Sequence, residues 1–511
     1  MPFVLRGIVY FVLLTAIAAS PSFALGPDDH SVLVIVLDGL RPDYVTAESM
    51  PNLHALGERG VVGTKHHAVF PTVTRVNAAT FATGAYPKTH GLMGNAILIP
   101  EVSTTRGINT SDARNLFEVD EATGGALLTA PTTGEIIQAA GGRVLVVSSG
   151  SSGSAFLLNP RVAGGAIINT DLVLPESLQP RVDELLGPKP REAYPNSARN
   201  RRAVDAYLKI GLDEIRPVLT YMWLSDPDKT GHAKGIGSPE TEQALRAVDV
   251  EIGRIVTEHD RRGMSERVDI IVTSDHGFST HLGGPDVSAT LVRTGVKKSI
   301  SSADVVVVHG AVYVDNHDPE VIQRAVLALQ QTKGVGSIFT RGNGDATSGA
   351  IPGTFSLSSM HWTHTRAADI YVTADWDDES NEYGWKGRTT QRGVAGHGTS
   401  SPYDIHNTLI AFGPSFKRGV VSEIPSGNVD IAPTALSLLG IDPADTIDGR
   451  VLHELVVDGP GPATIEVQTK VHSVETSNNY RAELSESRVG EYRYLDWTRV
   501  TRIKDEDVTA P

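Results

Sequence analysis

The chain has 511 residues, of which 21% are charged and 40% are hydrophobic, and its formal net charge is -15. These fractions are typical of a soluble globular protein with an ample core, so they exclude disordered and collagen-like chains. The sequence contains no cysteine, which excludes disulfides, zinc–thiolate sites, iron–sulfur clusters and thiol nucleophiles. The acidic charge argues against binding to nucleic acids or to anionic membranes.

The N-terminal residues have the pattern of a cleavable secretion signal. Arg6 supplies a positive charge, the run from Gly7 to Ala18 is apolar but short for a bilayer span, and Ser22 and Ala24 are small residues at −3 and −1 of a cleavage site. We therefore expect residues 1–24 to be removed, which leaves a mature chain without a membrane span; the alternative is a buried N-terminal helix. Export of a cysteine-free chain indicates the periplasm or the medium of a bacterium.

Short β-branched segments alternate with helical patterns along most of the chain. This alternation predicts an α/β fold with a mostly parallel central sheet and helices on both of its faces. In such sheets, ligands bind at the carboxyl ends of the strands. The predicted strands are Val32–Leu37, Val144–Ser149, Val218–Leu224, Val268–Thr273 and Thr408–Phe412, and the predicted helices include Pro51–Arg59, Gly134–Ala140 and Pro239–His259.

Two later regions differ from this pattern. Residues 295–361 contain strand-like and helical segments that predict a small α+β insertion, or cap, after which residues 366–374 and 405–413 are expected to resume the main sheet. From residue 456 onward the polar–apolar alternation predicts antiparallel strands added at an edge of that sheet. The predicted units are a signal peptide (1–24), a catalytic core (25–294 and 362–455), the inserted cap (295–361) and a strand-rich C-terminal tail (456–511).

Carboxylate and imidazole side chains follow several of the predicted strands. Mixed sets of aspartate and histidine suit zinc and related divalent ions, and six of them are enough for two metal sites. If the sheet is parallel, these groups meet at one edge of it. They are Asp38, Asp228 with His232, Asp275 with His276, and His397 between two glycines.

Each of these clusters is a weak signal when it is considered alone. A single aspartate after a strand is more often a turn residue or a helix N-cap than a metal ligand. His66, His67, His361 and His364 are interpreted as structural, because no second ligand stands beside them at a motif spacing.

A hydroxyl-bearing loop precedes a predicted helix of small residues. Thr72 and Thr74 lie in this loop, in the segment from Phe70 to Asn77. A nucleophile at a helix N-terminus would benefit from the helix dipole and the free N–H groups, which stabilise an oxyanion or a phosphate. The structural alternative is that these threonines only cap the N-terminus of the helix.

Taken together, these motifs resemble the nucleotide pyrophosphatase/phosphodiesterase branch of the alkaline phosphatase superfamily. Their order and spacing match as well, with Thr74 standing 36 residues after Asp38 (74 − 38) and Asn95 standing 21 residues after Thr74 (95 − 74). The match covers roughly residues 31–110, 215–280 and 365–450. It is carried by Asp38-Gly-Leu-Arg-Pro-Asp-Tyr, Pro-Thr-Val-Thr74, Thr-Gly-Ala-Tyr-Pro-Lys-Thr-His-Gly with Asn95, Asp228-x-x-x-His232, Asp275-His276-Gly and Gly-His397-Gly.

The resemblance implies an alkaline-phosphatase-like fold with two zinc ions per chain, although other divalent ions are possible. One ion would be held by Asp228, His232 and His397, and the other by Asp38, Asp275 and His276 together with Thr74. It also implies a Thr74 nucleophile, a phosphothreonine intermediate that water hydrolyses, and an Asn95 amide that donates to a phosphoryl oxygen. The spacing to Asn95 and the helix-start position favour Thr74 over Thr72.

The sequence departs from the family's pattern directly after the nucleophile. Nucleotide-cleaving members typically carry an aromatic residue there, whereas this chain has Arg75. A guanidinium fork suits substrates that have additional anionic oxygens. The alternative is that Arg75 is a surface or helix-start residue without substrate contact.

The predicted function is that of an exported two-zinc phosphoester hydrolase, similar to type I phosphodiesterases and nucleotide pyrophosphatases, that acts on small-molecule phosphoesters. Phosphate monoesterases and phosphonoacetate-type carbon–phosphorus hydrolases on the same scaffold remain alternatives, because a fold does not determine a reaction. A more distant alternative is a binding protein that is stabilised by metal and lacks catalysis. Sulfatases are disfavoured, since the chain has neither a cysteine nor a Ser-x-Pro-x-Arg motif.

Overall fold

A ten-stranded central sheet organises the protein in a computed structural model that describes residues 30–162, 164–342, 344, 346–476 and 480–502. The predicted secretion signal, residues 1–24, lies outside the described residues. The strands in chain order are β1 (Ser31–Leu37), β2 (Val61–His67), β3 (Ala96–Ile97), β4 (Ile108–Asn109), β5 (Val144–Ser148), β6 (Ala166–Asn169), β7 (Leu172–Leu174), β8 (Leu219–Leu224), β9 (Val268–Thr273), β10 (Ser279–His281), β11 (Val305–Val308), β12 (Ala311–Val314), β13 (Val335–Thr340), β14 (Phe355–Ser356), β15 (Ile370–Ala374), β16 (Trp376–Ser380), β17 (Lys386–Thr389), β18 (Ala395–Gly396), β19 (His406–Phe412), β20 (Val420–Ser422), β21 (Ser426–Gly427), β22 (Val467–Glu475), β23 (Tyr480–Val489) and β24 (Tyr492–Arg502).

Helices cover both faces of this sheet. Among the described residues, none of them combines the length and the apolar character that a membrane crossing requires. In chain order they are α1 (Pro51–Arg59), α2 (Thr74–Thr83), α3 (Pro87–His90), α4 (Ala113–Ala122), α5 (Thr133–Ala139), α6 (Ser152–Leu158), α7 (Gln179–Leu186), α8 (Ser197–Ala206, continued as a π-helix over Tyr207–Ile215), α9 (Asp228–Lys234), α10 (Pro239–Arg261), α11 (Val287–Arg293), α12 (Pro319–Gln330), α13 (Pro402–Ile405) and α14 (Ile431–Leu438).

The central sheet has the strand order β20-β2-β19-β9-β1-β8-β5-β6-β7, with β21 paired to β2. The pairs of β1 with β8 and β9, of β5 with β8 and β6, and of β2 with β20 and β21 are parallel, whereas β7 and β19 run antiparallel to their neighbours. The predicted α/β class with a mostly parallel sheet is therefore confirmed.

Strand β1 shows how the sheet forms two cores. Its even-numbered residues Val32, Val34 and Val36 pack into one buried cluster with α2, α4, α5, α6 and α14. Its odd-numbered neighbours face the opposite cluster, which contains residues of α1, α8 and α10. A strand that is buried on both faces has to be apolar at successive positions, and this explains the continuous β-branched runs in the sequence.

The insertion builds a separate five-stranded sheet with the order β11-β12-β15-β13-β14. Strand β15 (Ile370–Ala374) pairs antiparallel with β12 and β13 in this sheet, so the expectation that residues 366–374 resume the central sheet is wrong. An apolar strand is compatible with either sheet, and only its tertiary partners decide between them. The predicted cap (295–361) therefore ends before β15, although this strand belongs to the sheet of the insertion. The bounds of the predicted units stay predictions.

The C-terminal residues form a three-stranded antiparallel sheet, β22-β23-β24. The predicted antiparallel strands are therefore present, but they pack beside the core as their own sheet and do not extend an edge of the central one. Strand β24 is attached through Thr498, whose N–H donates to the Ser400 carbonyl, and through Trp376, whose indole donates to the Thr498 carbonyl. This sheet thus borders the loop that follows His397.

Candidate active site

Five chain segments meet at one edge of the central sheet. The carboxyl ends of β1, β8, β9 and β2 point to this edge because these strands run in the same direction. Strand β19 is antiparallel, so its amino end, and with it the preceding loop that carries His397, reaches the same edge. The structure therefore brings all the predicted metal ligands together with the start of α2.

The first cluster surrounds the side chain of His276. Its Nε2 atom lies 2.9 Å from Asp275 Oδ2, 3.6 Å from Asp38 Oδ1 and 3.4 Å from Thr74 Oγ1. All four residues are buried. Three potential ligands and the threonine hydroxyl thus face one small volume.

The second cluster is centred on Asp228, the first residue of α9. Asp228 Oδ1 lies 3.2 Å from His232 Nε2 and 3.4 Å from His397 Nε2. The ring of His397 stacks on that of His276 at a centroid distance of 3.3 Å, which places the two clusters side by side. His276 belongs to both clusters by mutual distance, since its ligand atom also groups with those of Asp228 and His397. His232 contacts Asp228 but is not part of that tighter group.

The three histidines are oriented in the same way. Each Nδ1 atom lies within hydrogen-bond distance of a backbone carbonyl: 2.9 Å from Gly277 for His276, 2.8 Å from Ala395 for His232 and 2.7 Å from Thr72 for His397. Donation by Nδ1–H leaves the Nε2 lone pair of a neutral ring directed into the site. This arrangement is the usual one for histidines that bind metal ions.

The three aspartates show that the clusters are suited to cations. Asp38 Oδ1, Asp228 Oδ1 and Asp275 Oδ2 are buried and have no hydrogen-bond partner within the described part of the chain, although imidazole nitrogens lie close to them. The second oxygens of two of them are held: Asp38 Oδ2 accepts from the Trp223 indole at 2.9 Å and Asp275 Oδ1 from the Gly39 N–H at 3.1 Å. A buried, unpaired carboxylate oxygen is costly unless a cation binds it.

The electrostatics of the aspartates leads to the same conclusion. Burial, followed by repulsion from Asp275 and Asp228, raises the pKa of Asp38 well above its usual range. Burial alone would also raise the pKa of Asp228, but the neighbouring His232 and His397 outweigh it and lower that pKa. Such a concentration of carboxylates in a buried site is stable in the ionised form only beside compensating positive charge.

Two glycines allow the close packing around these ligands. Gly39 has a φ of +73°, and a Cβ atom there would lie 3.0 Å from the Asp228 Cβ. A Cβ atom on Gly396 would lie 2.8 Å from the His232 ring. Only glycine permits these approaches, and this accounts for the glycines beside Asp38 and His397.

Thr74 and Thr72 have different surroundings. Thr74 is the first residue of α2, and its hydroxyl faces His276. The Thr72 hydroxyl instead donates to the Thr399 carbonyl at 2.8 Å and accepts from the Gly398 N–H at 3.1 Å. Val73 at the N-cap position offers α2 no side-chain acceptor, so this role falls to Asn95, whose Oδ1 accepts from the Arg75 N–H in the first turn.

Asn95 and Arg75 lie next to the nucleophile candidate. The Arg75 backbone N–H donates to Asn95 Oδ1 at 3.0 Å, which leaves the Asn95 Nδ2 group available to a ligand. The Arg75 side chain is half-buried, and its Nε atom is enclosed without a hydrogen-bond partner in the described residues. Burial lowers the pKa of this guanidinium, while the nearby Asp38, Asp228 and Asp275 raise it.

Two cavities flank the clusters and share Asn95, His232 and His397 in their walls. One, of about 630 Å³, is polar and is lined by Thr74, Arg75 and residues of the 171–199 region. The other, of about 710 Å³, is bounded by the insertion, including Val307 to Ala311, and by the 390–398 loop. The site therefore has room on both sides of the metal-ligand clusters.

Several residues of this site were not predicted from the sequence. Trp223 fixes Asp38, Arg199 and Lys229 line the polar cavity, and His309 reaches the other cavity from the hairpin of β11 and β12. Lys229 could have been noticed, since it directly follows Asp228. The others come from segments without a motif, so only their tertiary position indicates a role.

Comparison with known proteins identifies relatives of this arrangement. A family model described as type I phosphodiesterase/nucleotide pyrophosphatase matches residues 32–400. An uncharacterised pyrophosphatase/phosphodiesterase of Schizosaccharomyces pombe is 28% identical over 249 residues, which are 49% of this chain and 45% of that protein. Venom phosphodiesterase CdcPDE of Crotalus durissus collilineatus is 27% identical over 50% of this chain and 27% of its own. This chain thus matches about half or less of the length of these curated relatives.

Solved structures with the same fold are more distant in sequence. Human ectonucleotide pyrophosphatase/phosphodiesterase 5 superposes with a TM-score of 0.60 at 17% identity, covering 84% of this chain and 100% of that one. An inactive threonine-to-alanine variant of the murine protein, in complex with AMP, superposes with a TM-score of 0.56 at 18% identity, covering 81% and 96%. These likenesses confirm the fold.

Proposed function

This chain belongs to the type I phosphodiesterase/nucleotide pyrophosphatase family, and from that premise we propose that it is an exported, two-zinc phosphoester hydrolase with Thr74 as its nucleophile. The observation that carries the proposal is the pair of adjacent clusters beside the hydroxyl of Thr74. Three buried carboxylate oxygens, two in one cluster and one in the other, lack a hydrogen-bond partner in the described residues. If the clusters had only a structural role, burying these unpaired carboxylate oxygens would cost folding free energy.

The ligand sets divide between two ions. Asp38, Asp275, His276 and the Thr74 hydroxyl would hold one ion, and Asp228, His232 and His397 would hold the other. When bound, divalent ions would lower the pKa of the attacking hydroxyl and offset the charge that develops on the phosphoryl oxygens. Aspartate and histidine without thiolate are donors that zinc accepts, and a set with three protein ligands keeps a position open.

Thr74 would carry out the bond exchange. Its hydroxyl gives up its proton as Oγ forms a bond to phosphorus, the bond from phosphorus to the leaving ester oxygen breaks, and that oxygen takes up a proton and departs as the alcohol. Water then attacks the same phosphorus, breaks the bond to Thr74 Oγ and releases the phosphate product, which restores the threonine hydroxyl. The side chain of a buried N-terminal helix residue is well placed for this role because it is held rigidly.

Asn95 and the start of α2 would stabilise the phosphoryl group. Because Asn95 Oδ1 already accepts from the Arg75 N–H, its Nδ2 group can donate to a non-bridging oxygen. Apart from the Arg75 N–H that Asn95 already holds, the N-terminus of α2 adds its dipole and the backbone N–H groups of its first turn at the same place. These donors are preorganised, which is the property that lowers a barrier when negative charge develops.

Diesters are the favoured substrates, since the cavities on both sides of the clusters can each receive one ester substituent. The relatives support the same class, as their names include phosphodiesterases and pyrophosphatases, and one was solved with AMP. Arg75 is the observation that favours a second candidate. Its guanidinium lines the polar cavity and would bind the additional charge of a monoester or a phosphonate there.

A comparison of rates tests the proposed reaction. The purified protein is assayed with bis-p-nitrophenyl phosphate, p-nitrophenyl phosphate, a nucleotide ester and phosphonoacetate, with and without Zn²⁺. We expect zinc-dependent turnover with the diester or the nucleotide ester as the best substrate. Absence of turnover on all four substrates with zinc present would overturn the hydrolase function, and the order of rates decides between diester, monoester and phosphonate.

The number and place of the metal ions test the proposed mechanism. Zinc analysis combined with anomalous scattering should locate one ion at each of the two clusters. His232→Ala and Asp275→Ala should lose most of the activity, because a three-ligand site cannot lose one ligand without a large loss of affinity. A folded, active preparation with fewer than two ions at these clusters would rule out the two-metal mechanism.

A further inference from the structure

A third group of potential metal ligands lies where the C-terminal sheet meets the core. His67 ends β2, His406 begins β19, and Asp496 belongs to β24. Their ligand atoms all lie within 4.8 Å of one another. None of the three lines either cavity of the candidate active site, so the group is separate from the site described above.

The two buried partners of this group are held in orientations suitable for a ligand. His67 Nδ1 lies 2.8 Å from the Ser426 carbonyl, so donation by Nδ1–H directs the Nε2 lone pair toward Asp496. Asp496 Oδ2 accepts from the hydroxyls of Ser485 and Ser487 at 2.9 and 3.1 Å, while its Oδ1 lies 2.9 Å from His67 Nε2. This is the arrangement seen around His232, His276 and His397.

The third partner, His406, points to the same conclusion. Its Nδ1 atom is buried and has no hydrogen-bond partner among the residues that the structure describes. Its ring lies 4.7 Å from the ring of His67.

We propose that His67, His406 and Asp496 bind a divalent transition-metal ion, zinc in the first place, at a site distinct from the candidate active site. Two imidazoles and one carboxylate form a donor set that binds zinc with water as the fourth ligand. The ligands come from two strands of the core and one strand of the C-terminal sheet, so the ion joins these units. Its role is therefore structural.

The site is also connected to the active-site edge through buried polar groups. Ser426 contacts His67 through its carbonyl and His66 through its hydroxyl, the latter at 2.8 Å. His66 Nε2 lies 3.0 Å from Asn428 Oδ1, and Asn428 Nδ2 donates to the Asp275 carbonyl at 3.0 Å. These hydrogen bonds thus connect the proposed ion site to the backbone carbonyl of Asp275, a candidate ligand of the active site.

Anomalous scattering from the unmodified full-length protein, crystallised with Zn²⁺, is the direct test. We expect a peak within bonding distance, about 2.0–2.2 Å, of His67 Nε2, a nitrogen of His406 and Asp496 Oδ1. Absence of a peak there overturns the proposal. Because the peaks at the catalytic clusters are separate, this result is independent of the proposed hydrolase function.

A variant series supplies the second test. Asp496→Asn and His406→Gln should each lower the bound zinc by one ion per chain and should remove the part of the zinc-induced rise in Tm that this site supplies. The control is Glu486→Gln, since Glu486 also lies 3.2 Å from a histidine of the C-terminal sheet, His472, and pairs with Arg488, while no third potential metal ligand groups with them among the described residues. A zinc content unchanged in the first two variants, or lowered equally in the control, would contradict the proposal.

Discussion

At the scale of single residues, the two threonines of the nucleophile loop differ in what their hydroxyls already contact. The Thr72 hydroxyl is engaged as donor and as acceptor by the 398–399 loop, whereas the Thr74 hydroxyl faces the cluster of His276, Asp38 and Asp275. A hydroxyl that holds a loop in place cannot leave its partners at low cost. The contacts therefore favour Thr74 as the residue that reacts.

We expect Thr74→Ala to lower kcat by several orders of magnitude, because the activated nucleophile is removed, and Thr72→Ala to cost far less. Steady-state assays with bis-p-nitrophenyl phosphate give the rates. Mass spectrometry of enzyme quenched during turnover should find a phosphoryl adduct on the peptide that contains Thr74. If the adduct lies on Thr72 and Thr74 is dispensable, the assignment is wrong.

Arg75 is the residue by which this site differs most from the family's pattern. Its side chain borders the polar cavity near three aspartates, and its Nε atom has no hydrogen-bond partner in the described residues, so under the proposed function its guanidinium would contact a substrate anion. An arginine fork binds two oxygens at once, whereas an aromatic ring stacks on a base. This contrast predicts weak discrimination among nucleobases.

Arg75→Phe should shift the preference toward nucleotide diesters and lower the ratio of monoester or phosphonate hydrolysis to diester hydrolysis. Arg75→Lys keeps the charge without the fork and should leave base discrimination weak, which makes it the matched control. The measurement is kcat/KM for four nucleotide esters and for a monoester and diester pair. Equal ratios in all three proteins would show that Arg75 does not set specificity.

At the scale of elements, two loops have to be held together for the clusters to form. Asp404 of α13 lies between them: Ser279 Oγ donates to its Oδ1, and the Thr399 N–H and hydroxyl donate to its Oδ2 at 2.9 and 2.7 Å. The Asp404 carbonyl also accepts from the Gly277 N–H. One residue thus links the loop of Asp275 and His276 to the loop of His397.

Asp404→Asn places an amide N–H group against these donors and should therefore loosen both loops. We expect zinc affinity to fall by about 10–100-fold, with activity recovered at high Zn²⁺, as for other residues that orient metal ligands. A titration of activity against buffered zinc measures this effect. The control is Asp378→Asn, an exposed change near Tyr403. Loss of activity that zinc does not restore would indicate a role other than positioning.

At the scale of the whole molecule, buried histidines make the stability of the protein sensitive to acid. His90 is fully buried, and burial, together with the nearby His364, lowers its pKa to about 3. Its Nδ1 atom accepts from the Leu92 N–H at 3.1 Å, so the neutral ring is required. Because the pKa is depressed in the folded state, stability is full above the ordinary pKa near 6.5 and is lost as pH falls toward 3.

We expect His90→Gln to flatten this dependence. One unit below its ordinary pKa, His90 should cost the wild-type protein about 1.4 kcal/mol of unfolding free energy relative to neutral pH, and the variant should lack this part of the loss. Urea unfolding of both proteins between pH 7.5 and pH 5 measures the difference, and histidines common to both cancel. Parallel pH profiles would contradict the assignment of a neutral His90.

The sequence alone was enough to predict the fold class and the candidate ligands. A parallel sheet that is buried on both faces has apolar strands, so polar functional residues lie at the strand ends. An apolar run followed by aspartate or histidine is a local pattern, and the sequence therefore shows it directly. The bounds of β1, β8, β9 and α1 accordingly lie within about one residue of their predictions. The order and spacing of the motifs then predicted which family the chain belongs to.

Only the tertiary structure decided which elements pair and which distant groups meet. Strand β15 joins the sheet of the insertion, and β19 runs antiparallel, because an apolar strand has no local preference for one partner over another. His67 was interpreted as structural because no ligand stands beside it in the chain. Its partner Asp496 lies 429 residues away in the chain. A contact between residues so far apart produces no sequence motif, because only folding brings them together.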